Sequence, residues 1–210
     1  MKKVLLSLIA VAGLAFTTQA QTEKGNFIIG GQVELNSGKT DGAPKSNFSF
    51  SVIPSAGYFF SDNFAVGTGI GYTHAKSYAS VEVNNAIIGT SAQTSAFVVN
   101  PFLRGYKGIN DQFKFFGQLS VPMAFGNNKI GDGEGNNMVK TGKNNSVGVA
   151  LSPGIAFFPS KKFGIEFSVN GISYNDYNAE DANGNNIGGN KNFNIGANFF
   201  APKIGVQFYL

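Results

Sequence analysis

Apolar side chains recur at every second position through most of this chain. Between Phe27 and Asn36, one set of alternate residues is mainly Phe, Ile, Val and Leu, and the other set is mainly small or polar. Side chains alternate between two faces with this period in a β-strand, whereas a helix would repeat every 3.6 residues. The pattern therefore predicts strands that each have one apolar face.

The same alternation recurs in seven further segments. The eight predicted strands cover residues 27–36, 48–60, 64–73, 97–103, 113–125, 147–157, 163–169 and 200–210. Most are near the 9 to 11 residues, roughly, that cross a bilayer on a tilt. Four of the strands contain a proline, at positions 54, 101, 153 and 202. Because proline lacks a backbone N–H, we expect a bulge or another irregularity at each of these positions.

The predicted connections are of two kinds. Short turns fall at 61–63, 107–111 and 159–162, and longer stretches rich in Gly, Asn, Asp and Lys fall at 37–46, 75–92, 126–145 and 175–191. Short turns at one end and long polar loops at the other are typical of bacterial transmembrane barrels. The predicted fold is therefore all-β, an eight-stranded antiparallel up-and-down transmembrane β-barrel.

Charged residues within the predicted strands all fall on the small, polar face. They are Glu34, Arg104, Lys114, Glu166 and Lys203. In a β-sandwich, the alternative fold, the polar faces would contact water, but these faces consist mostly of Gly, Ala, Ser and Thr. In an eight-stranded barrel the lumen is just wide enough for side chains to fill it. We therefore predict a polar-filled, closed lumen with a charge network, in which Arg104 pairs with Glu166.

Glycines on the same face are predicted to make room for the long side chains. They are Gly67, Gly69, Gly71, Gly148 and Gly154.

Aromatic residues near the short turns are predicted to form one ring at a membrane interface. This group comprises Tyr58, Phe59, Phe60, Phe64, Tyr106, Phe113, Phe115, Phe157, Phe158, Phe163, Phe208 and Tyr209.

The first twenty residues have the pattern of a secretory signal peptide. Lys2 and Lys3 precede an apolar run that ends in small residues, and cleavage is expected after Ala20. Removal of the two lysines lowers the formal net charge from +4 to +2, which leaves no basic stripe for nucleic acid.

The chain contains no Cys, so disulfides, thiolate metal sites and cysteine nucleophiles are excluded. We expect no cofactor and no metal site.

The final residues, KIGVQFYL, resemble the C-terminal insertion signal of outer-membrane barrels. The matching positions are Lys203, Gly205, Phe208 and Leu210, although many such signals end in Phe. With the signal peptide and eight strands, residues 21–210 resemble the small outer-membrane β-barrel family of OmpA and OmpX type, in a form similar to Bacteroidota members. This resemblance implies handling by the barrel-assembly machinery and residence as a monomer in outer-membrane lipid.

Catalytic and metal-binding motifs are weak in this sequence. Some eight-stranded barrels resembling this one are lipid A deacylases or acyltransferases, but the His-x-Ser spacing of the deacylases is missing because Lys76 follows His74 at that position. The segments DGEGNN from Asp132 and DANGNN from Asp181 suggest calcium loops, yet both lack the required Gly and Glu positions of an EF-hand. We expect solvated loops there and no enzyme activity.

Two classes of function remain after these exclusions. The first is a structural or interaction protein whose four extracellular loops bind a partner or a surface. The second is a small passive channel, porin-like, for ions or small solutes. A soluble periplasmic carrier of lipocalin type is a third interpretation, which a requirement for detergent would exclude.

Overall fold

The structure, a computed structural model, describes residues 21–83, 86–196 and 203–210. The predicted signal peptide, residues 1–20, and Pro202 lie outside the described residues. Cleavage after Ala20 therefore stays a prediction.

The described residues form eleven strand segments. They are β1 (Phe27–Gly38), β2 (Asn47–Ser61), β3 (Phe64–Val83), β4 (Ala86–Gly108), β5 (Phe113–Ser120), β6 (Met123–Asp132), β7 (Val139–Ser160), β8 (Phe163–Ser168), β9 (Ile172–Asp181), β10 (Asn186–Ile195) and β11 (Lys203–Tyr209). No helix in the described part of the chain is long and apolar enough to cross a membrane.

The strand segments combine into one closed barrel with eight strands. Three of the eight consist of two consecutive segments: β5 with β6, β8 with β9, and β10 with β11. Each strand pairs antiparallel with its sequence neighbours, and β11 pairs with both β8 and β1, which closes the ring. The predicted fold class is confirmed, and the sandwich alternative is excluded because the sheet forms a single closed cylinder.

Breaks in the hydrogen-bond ladder lie beside three of the prolines. Residues 121–122 interrupt the strand opposite Pro101, and residues 169–171 interrupt the strand opposite Pro153. Beside Pro54, two residue pairs are missing between β2 and β3. The predicted irregularities are thus present at these three positions, because proline cannot donate to a neighbouring strand.

The long connections predicted at 75–92, 126–145 and 175–191 are wrong. These residues mostly extend the strands, so that β3 and β4 reach 20 and 23 residues. The turns at 133–138 and 182–185 are short, β3 ends at Val83 and β4 begins at Ala86, and 39–46 remains a loop. Beyond Tyr72 the apolar alternation of β3 stops, although its backbone pairing with β4 continues to Val83. We call this side of the barrel the hairpin end and the opposite side the short-turn end.

The apolar side chains of the strands face outwards, as the alternation predicts. Ile29, Val66, Phe97, Leu119, Val149 and Phe167 are all exposed on the outer face. The buried residues on the opposite face fill the lumen, and its core comprises Ile28, Phe59, Ala65, Tyr106, Phe116, Ala156, Phe158 and Tyr209. The outer face thus forms an apolar band near the short-turn end.

The single aromatic ring predicted from the short turns is partly wrong. Tyr58, Phe60, Phe64 and Phe115 are exposed on the outer face. Phe59, Tyr106, Phe158 and Tyr209 are buried in the lumen instead. The reason is the period of two itself, which places adjacent aromatic residues on opposite sides of the wall.

Candidate functional site in the lumen

A buried ion pair lies across the centre of the lumen. Arg104 on β4 and Glu166 on β8 are 7% and 4% exposed. The Arg104 Nη1 atom donates to both carboxylate oxygens of Glu166, at 2.7 and 2.9 Å. An uncompensated charge at this depth would be strongly unfavourable, so each partner makes the burial of the other possible.

Three further side chains complete the hydrogen bonding of this pair. Gln118 Oε1 accepts from Nε and Nη2 of Arg104 at 2.8 and 2.6 Å. The Tyr209 hydroxyl donates to Glu166 Oε1 at 2.8 Å, and the hydroxyls of Tyr106 and Tyr209 are 3.0 Å apart. The sequence prediction assigned Tyr106 and Tyr209 to the aromatic ring and did not single out Gln118, although all three lie on the lumen-facing alternation of their strands. We call the set Arg104, Tyr106, Gln118, Glu166 and Tyr209 the lumen plug.

The aromatic surroundings of Arg104 depend on glycines. Its guanidinium carbon lies 4.7 Å from the ring centroid of Phe116 and 5.6 Å from that of Phe102. A Cβ on Gly67 would meet Phe102 Cζ at 2.5 Å, and a Cβ on Gly154 would clash with the Phe116 ring. Two of the predicted glycines therefore make room for rings, and these rings in turn support the cation by cation–π contact.

The short-turn end of the lumen is closed below the plug. Thr22 is buried, and its hydroxyl donates to Asn63 Oδ1 at 2.7 Å and accepts from the Lys114 ammonium. The Lys114 ammonium also lies 5.9 Å from the ring centroid of Phe158. The segment before β1 thus folds across this end and is bonded to it.

The five charged residues predicted to form one network occupy three separate places. Arg104 and Glu166 meet in the plug, and Lys114 lies below it beside Thr22. Glu34 and Lys203 line a cavity of about 540 Å³ on the hairpin side of the plug. All five face the lumen, but only the central pair forms a salt bridge, because the others lie at different heights along their strands.

The residues that resemble an insertion signal form the last strand and its end. Lys203 pairs with Ser168, and Phe208 lies on the outer face between Ile29 and Phe163. The backbone of Leu210 exchanges two hydrogen bonds with Phe27, at 2.7 and 2.8 Å. The C-terminus is therefore held by the first strand, and its role in insertion stays a prediction.

The hairpins at the opposite end contact each other. In the loop between β1 and β2, Lys45 forms a 2.7 Å ion pair with Glu134 in the β6–β7 turn. Lys76 on β3 donates to the Gly135 carbonyl of the same turn at 2.8 Å, and Ser80 donates to the Gly42 carbonyl at 2.8 Å. The hydrogen bond from Lys45 to Glu134 raises the pKa of Lys45. Three hairpins are thus connected by direct bonds.

The two segments that suggest calcium loops are hairpin turns of the same design. Asp132 Oδ1 accepts from the backbone of Asn136 and Glu134 at 2.8 and 3.0 Å. Asp181 Oδ1 accepts equivalent bonds from Asn185 and Asn183, both at 2.8 Å. Hydrogen bonds from Asn136 and Asn185, respectively, are the first cause that lowers the pKa of each carboxyl.

The carboxylate oxygens in these turns are therefore used by their own loops. Gly135 and Gly184 adopt positive φ values of 77° and 86° at equivalent places, as a turn followed by a left-handed residue requires. In the described ranges, no group of three or more His, Asp or Glu side chains is arranged to hold a metal ion.

His74 lies at the border of the apolar band that faces the hairpin end. Its Nδ1 atom is 2.9 Å from Ser95 Oγ on the neighbouring strand, and its ring stacks on Phe50 at 5.4 Å. A hydrolytic triad also needs an orienting carboxylate. Among the hydrogen bonds between described residues, none joins a carboxylate to His74, so the pair is a cross-strand contact.

A closed eight-stranded barrel with an apolar outer band and a lumen that contains polar and aromatic side chains defines a class of protein, the small transmembrane β-barrels. The sequence matches the outer membrane protein beta-barrel domain family over residues 6–199. The chain belongs to this family and is therefore a barrel of the bacterial outer membrane.

Solved structures of other barrels are similar to this chain. They include Neisserial surface protein A, with a TM-score of 0.43, 10% identity, and coverage of 89% of this chain and 97% of that chain. Outer membrane protein W of E. coli has a TM-score of 0.44, 15% identity, and coverage of 89% and 97%. The attachment invasion locus protein Ail of Yersinia pestis, solved with the heparin analogue sucrose octasulfate, has a TM-score of 0.38, 15% identity, and coverage of 89% and 99%. A comparison with curated proteins gives no match.

Proposed function

We propose that this protein is a non-conducting anchor in the outer membrane that holds a rigid set of hairpins outside the cell for contact with a partner or surface. The observation that carries this proposal is the lumen plug. In its ion pair, the Nη1 atom of Arg104 donates to Glu166 and to the Tyr106 hydroxyl. Its N–H groups are therefore already used within the plug. Ions would have to cross this bonded layer and the aromatic core beneath it.

The hairpin end supports the second half of the proposal. Lys45, Lys76 and Ser80 each bond to a backbone or carboxylate group on another hairpin. Bonds between loops reduce the conformational entropy that a partner would have to remove on binding. A preorganised surface of this kind suits an interaction protein, and no catalytic role is proposed.

Planar-bilayer recording tests the plug. We expect no steady single-channel steps from the wild-type protein, and steps from a variant in which Arg104→Ser, Glu166→Ser and Phe116→Ser are combined. Steady steps from the wild type would contradict the proposal and favour the passive channel.

Cysteine labelling on intact cells tests which end faces outwards. The chain contains no Cys, so a single substitution gives one labelling site. We expect a membrane-impermeant maleimide to label Asp41→Cys in the β1–β2 loop on intact cells, and to label Lys161→Cys at the short-turn end only after permeabilisation. The reverse result would contradict the proposed orientation.

A further inference from the structure

The seam between the first and last strands of the barrel stops early. β1 and β11 pair over four positions, from Ile28 with Tyr209 to Gly31 with Val206. Continued in the same register, the ladder would pair Val33 with Ile204. Among the described residues this pair is not formed, although β1 remains paired with β2 up to Gly38 and β11 remains paired with β8 down to Lys203.

Gly31 marks the point at which the two strands separate. Its φ value is 153°, and a Cβ at this position would meet the Ile53 carbonyl oxygen and Pro54 Cα, both at 2.7 Å. β1 therefore lies so close to β2 at Gly31 that only glycine fits. This close approach accompanies the departure of β1 from β11.

The outer face of the seam is more exposed on the hairpin side of Gly31 than on its short-turn side. Val33 and Ile204 are 73% and 67% exposed, whereas the paired residues Ile29 and Phe208 on the same face are both 43% exposed. Val33 and Ile204 also line the cavity of about 540 Å³, together with lumen-facing residues such as Glu34 and Gln207. A cavity lined by residues from both faces of the wall communicates with the apolar surroundings of the barrel through the seam.

Two residues that line the inner part of this cavity carry buried side-chain oxygens without a hydrogen-bond partner. Gln207 is 5% exposed, and its Oε1 atom has no hydrogen-bond partner; Asn100 Oδ1 is likewise buried without one. The charged groups of the lining balance, with Glu34 and Glu166 against Arg104 and Lys203. Such a site favours a neutral group with hydroxyl or amide donors, since buried acceptors are normally satisfied.

We propose that the cavity binds the head group of a single-chain amphiphile, and that the apolar chain passes between Val33 and Ile204 into the membrane. The head group would supply hydrogen-bond donors to Gln207 and Asn100. The volume lies within the range of about 300 to 1,000 Å³ that is usual for small-molecule sites.

Disulfide formation tests the open seam. The chain has no Cys, so V33C combined with I204C gives one possible bridge. The matched control is I29C with F208C, a pair that is formed in the ladder and lies four residues away in the same register. On mild oxidation we expect the control to close at least about tenfold faster, because separated Cα atoms cannot be bridged without movement of the backbone. Equal rates would overturn the proposal.

Titration with decyl glucoside in lipid nanodiscs tests binding. We expect saturable changes in the amide NMR signals of Gly205 and Gln207, and about tenfold weaker binding to Gln207→Met, for which the heat-modifiable gel shift checks folding. A bulky maleimide on Val33→Cys should abolish the changes, whereas the same label on Ile29→Cys should not.

Two other probes separate the parts of this proposal. Decyl dimethylamine oxide has the same chain but no hydrogen-bond donor, so we expect it to bind at least about tenfold more weakly. Glucose alone has the donors but no chain, and we expect no saturable change. Equal binding of either probe, or no saturable change with decyl glucoside, would overturn the proposal.

Discussion

The ring of Phe116 occupies the space that a Cβ on Gly154 would need. The two residues lie on the neighbouring strands β5 and β7 and are partners in the ladder. Phe116 also lies beneath the Arg104 guanidinium. One missing side chain on β7 therefore permits the aromatic support of the ion pair.

Gly154→Ala should destabilise the barrel by about 1 to 3 kcal/mol, because an added methyl group overpacks a filled interior. Urea unfolding in detergent measures this change. The matched control is Gly117→Ala, on β5, where no atom lies within 4 Å of the added Cβ. We expect a change below about 0.5 kcal/mol there.

A second substitution identifies the cause of this destabilisation. Phe116→Leu in the Gly154→Ala background should restore part of the lost stability, because the smaller side chain leaves room for the methyl group. If the double variant were less stable than the sum of the two single changes, the steric explanation would be wrong.

Glu166→Ala should strand the Arg104 cation in the lumen and destabilise the barrel by about 3 to 5 kcal/mol. We expect a lower temperature for the heat-induced gel shift. Glu34→Ala is the control, since Glu34 is exposed and its Oε1 accepts a hydrogen bond from the Asn36 side chain at 2.9 Å. Arg104→Met added to Glu166→Ala should recover part of the loss, and an unchanged gel shift in Glu166→Ala would contradict a stabilising ion pair.

The faces of the strands could be predicted from the sequence because apolar alternation directly reflects which side of the wall a residue occupies. The pairing of Arg104 with Glu166 followed from the same alternation and from the cost of burying single charges. The hydrogen bonds that Tyr106, Gln118 and Tyr209 make around the ion pair were not predicted, although the alternation places all three side chains on the lumen side. Height along the barrel depends on strand register, which one sequence does not specify, so Glu34, Lys114 and Lys203 were placed in the same network.

Strand ends were the least predictable part of the fold. From His74 onward, β3 loses its apolar face because the hairpin no longer faces an apolar environment, yet its backbone pairing with β4 continues to Val83. The turns themselves had a usable signal. An Asp followed three residues later by Gly and then Asn occurs at both Asp132 and Asp181, and its hydrogen bonds explain the turn without a metal ion.

Acidification should loosen the β6–β7 turn. The folded pKa of Asp132 is lowered, so its contribution is complete above the ordinary Asp pKa of about 3.9 and is lost as pH falls through the lowered value. We expect the protection of the Asn136 amide from hydrogen exchange, corrected for intrinsic rates, to fall between pH 5 and pH 2. In Asp132→Ala the Asn136 amide should be weakly protected at both pH 5 and pH 2, whereas Asp41→Ala should behave like the wild type. A wild-type protection independent of pH would contradict this assignment.

Loss of the contact between Lys45 and Glu134 should free one hairpin without unfolding the barrel. Both side chains are exposed, and ion pairs of this kind contribute little to the stability of a fold. We therefore expect Lys45→Met to leave the gel-shift temperature unchanged but to increase trypsin cleavage after Lys39, with Lys140→Met as a control for the removal of one surface lysine. Since the folded pKa of Lys45 is raised, its contribution is present below the ordinary Lys pKa of about 10.4 and is lost as pH rises through the raised value. High salt should increase trypsin cleavage of the wild type toward the rate of Lys45→Met, because an exposed ion pair is screened. If the wild type and Lys45→Met were cleaved at equal rates at low salt, the loop would not be held by this contact.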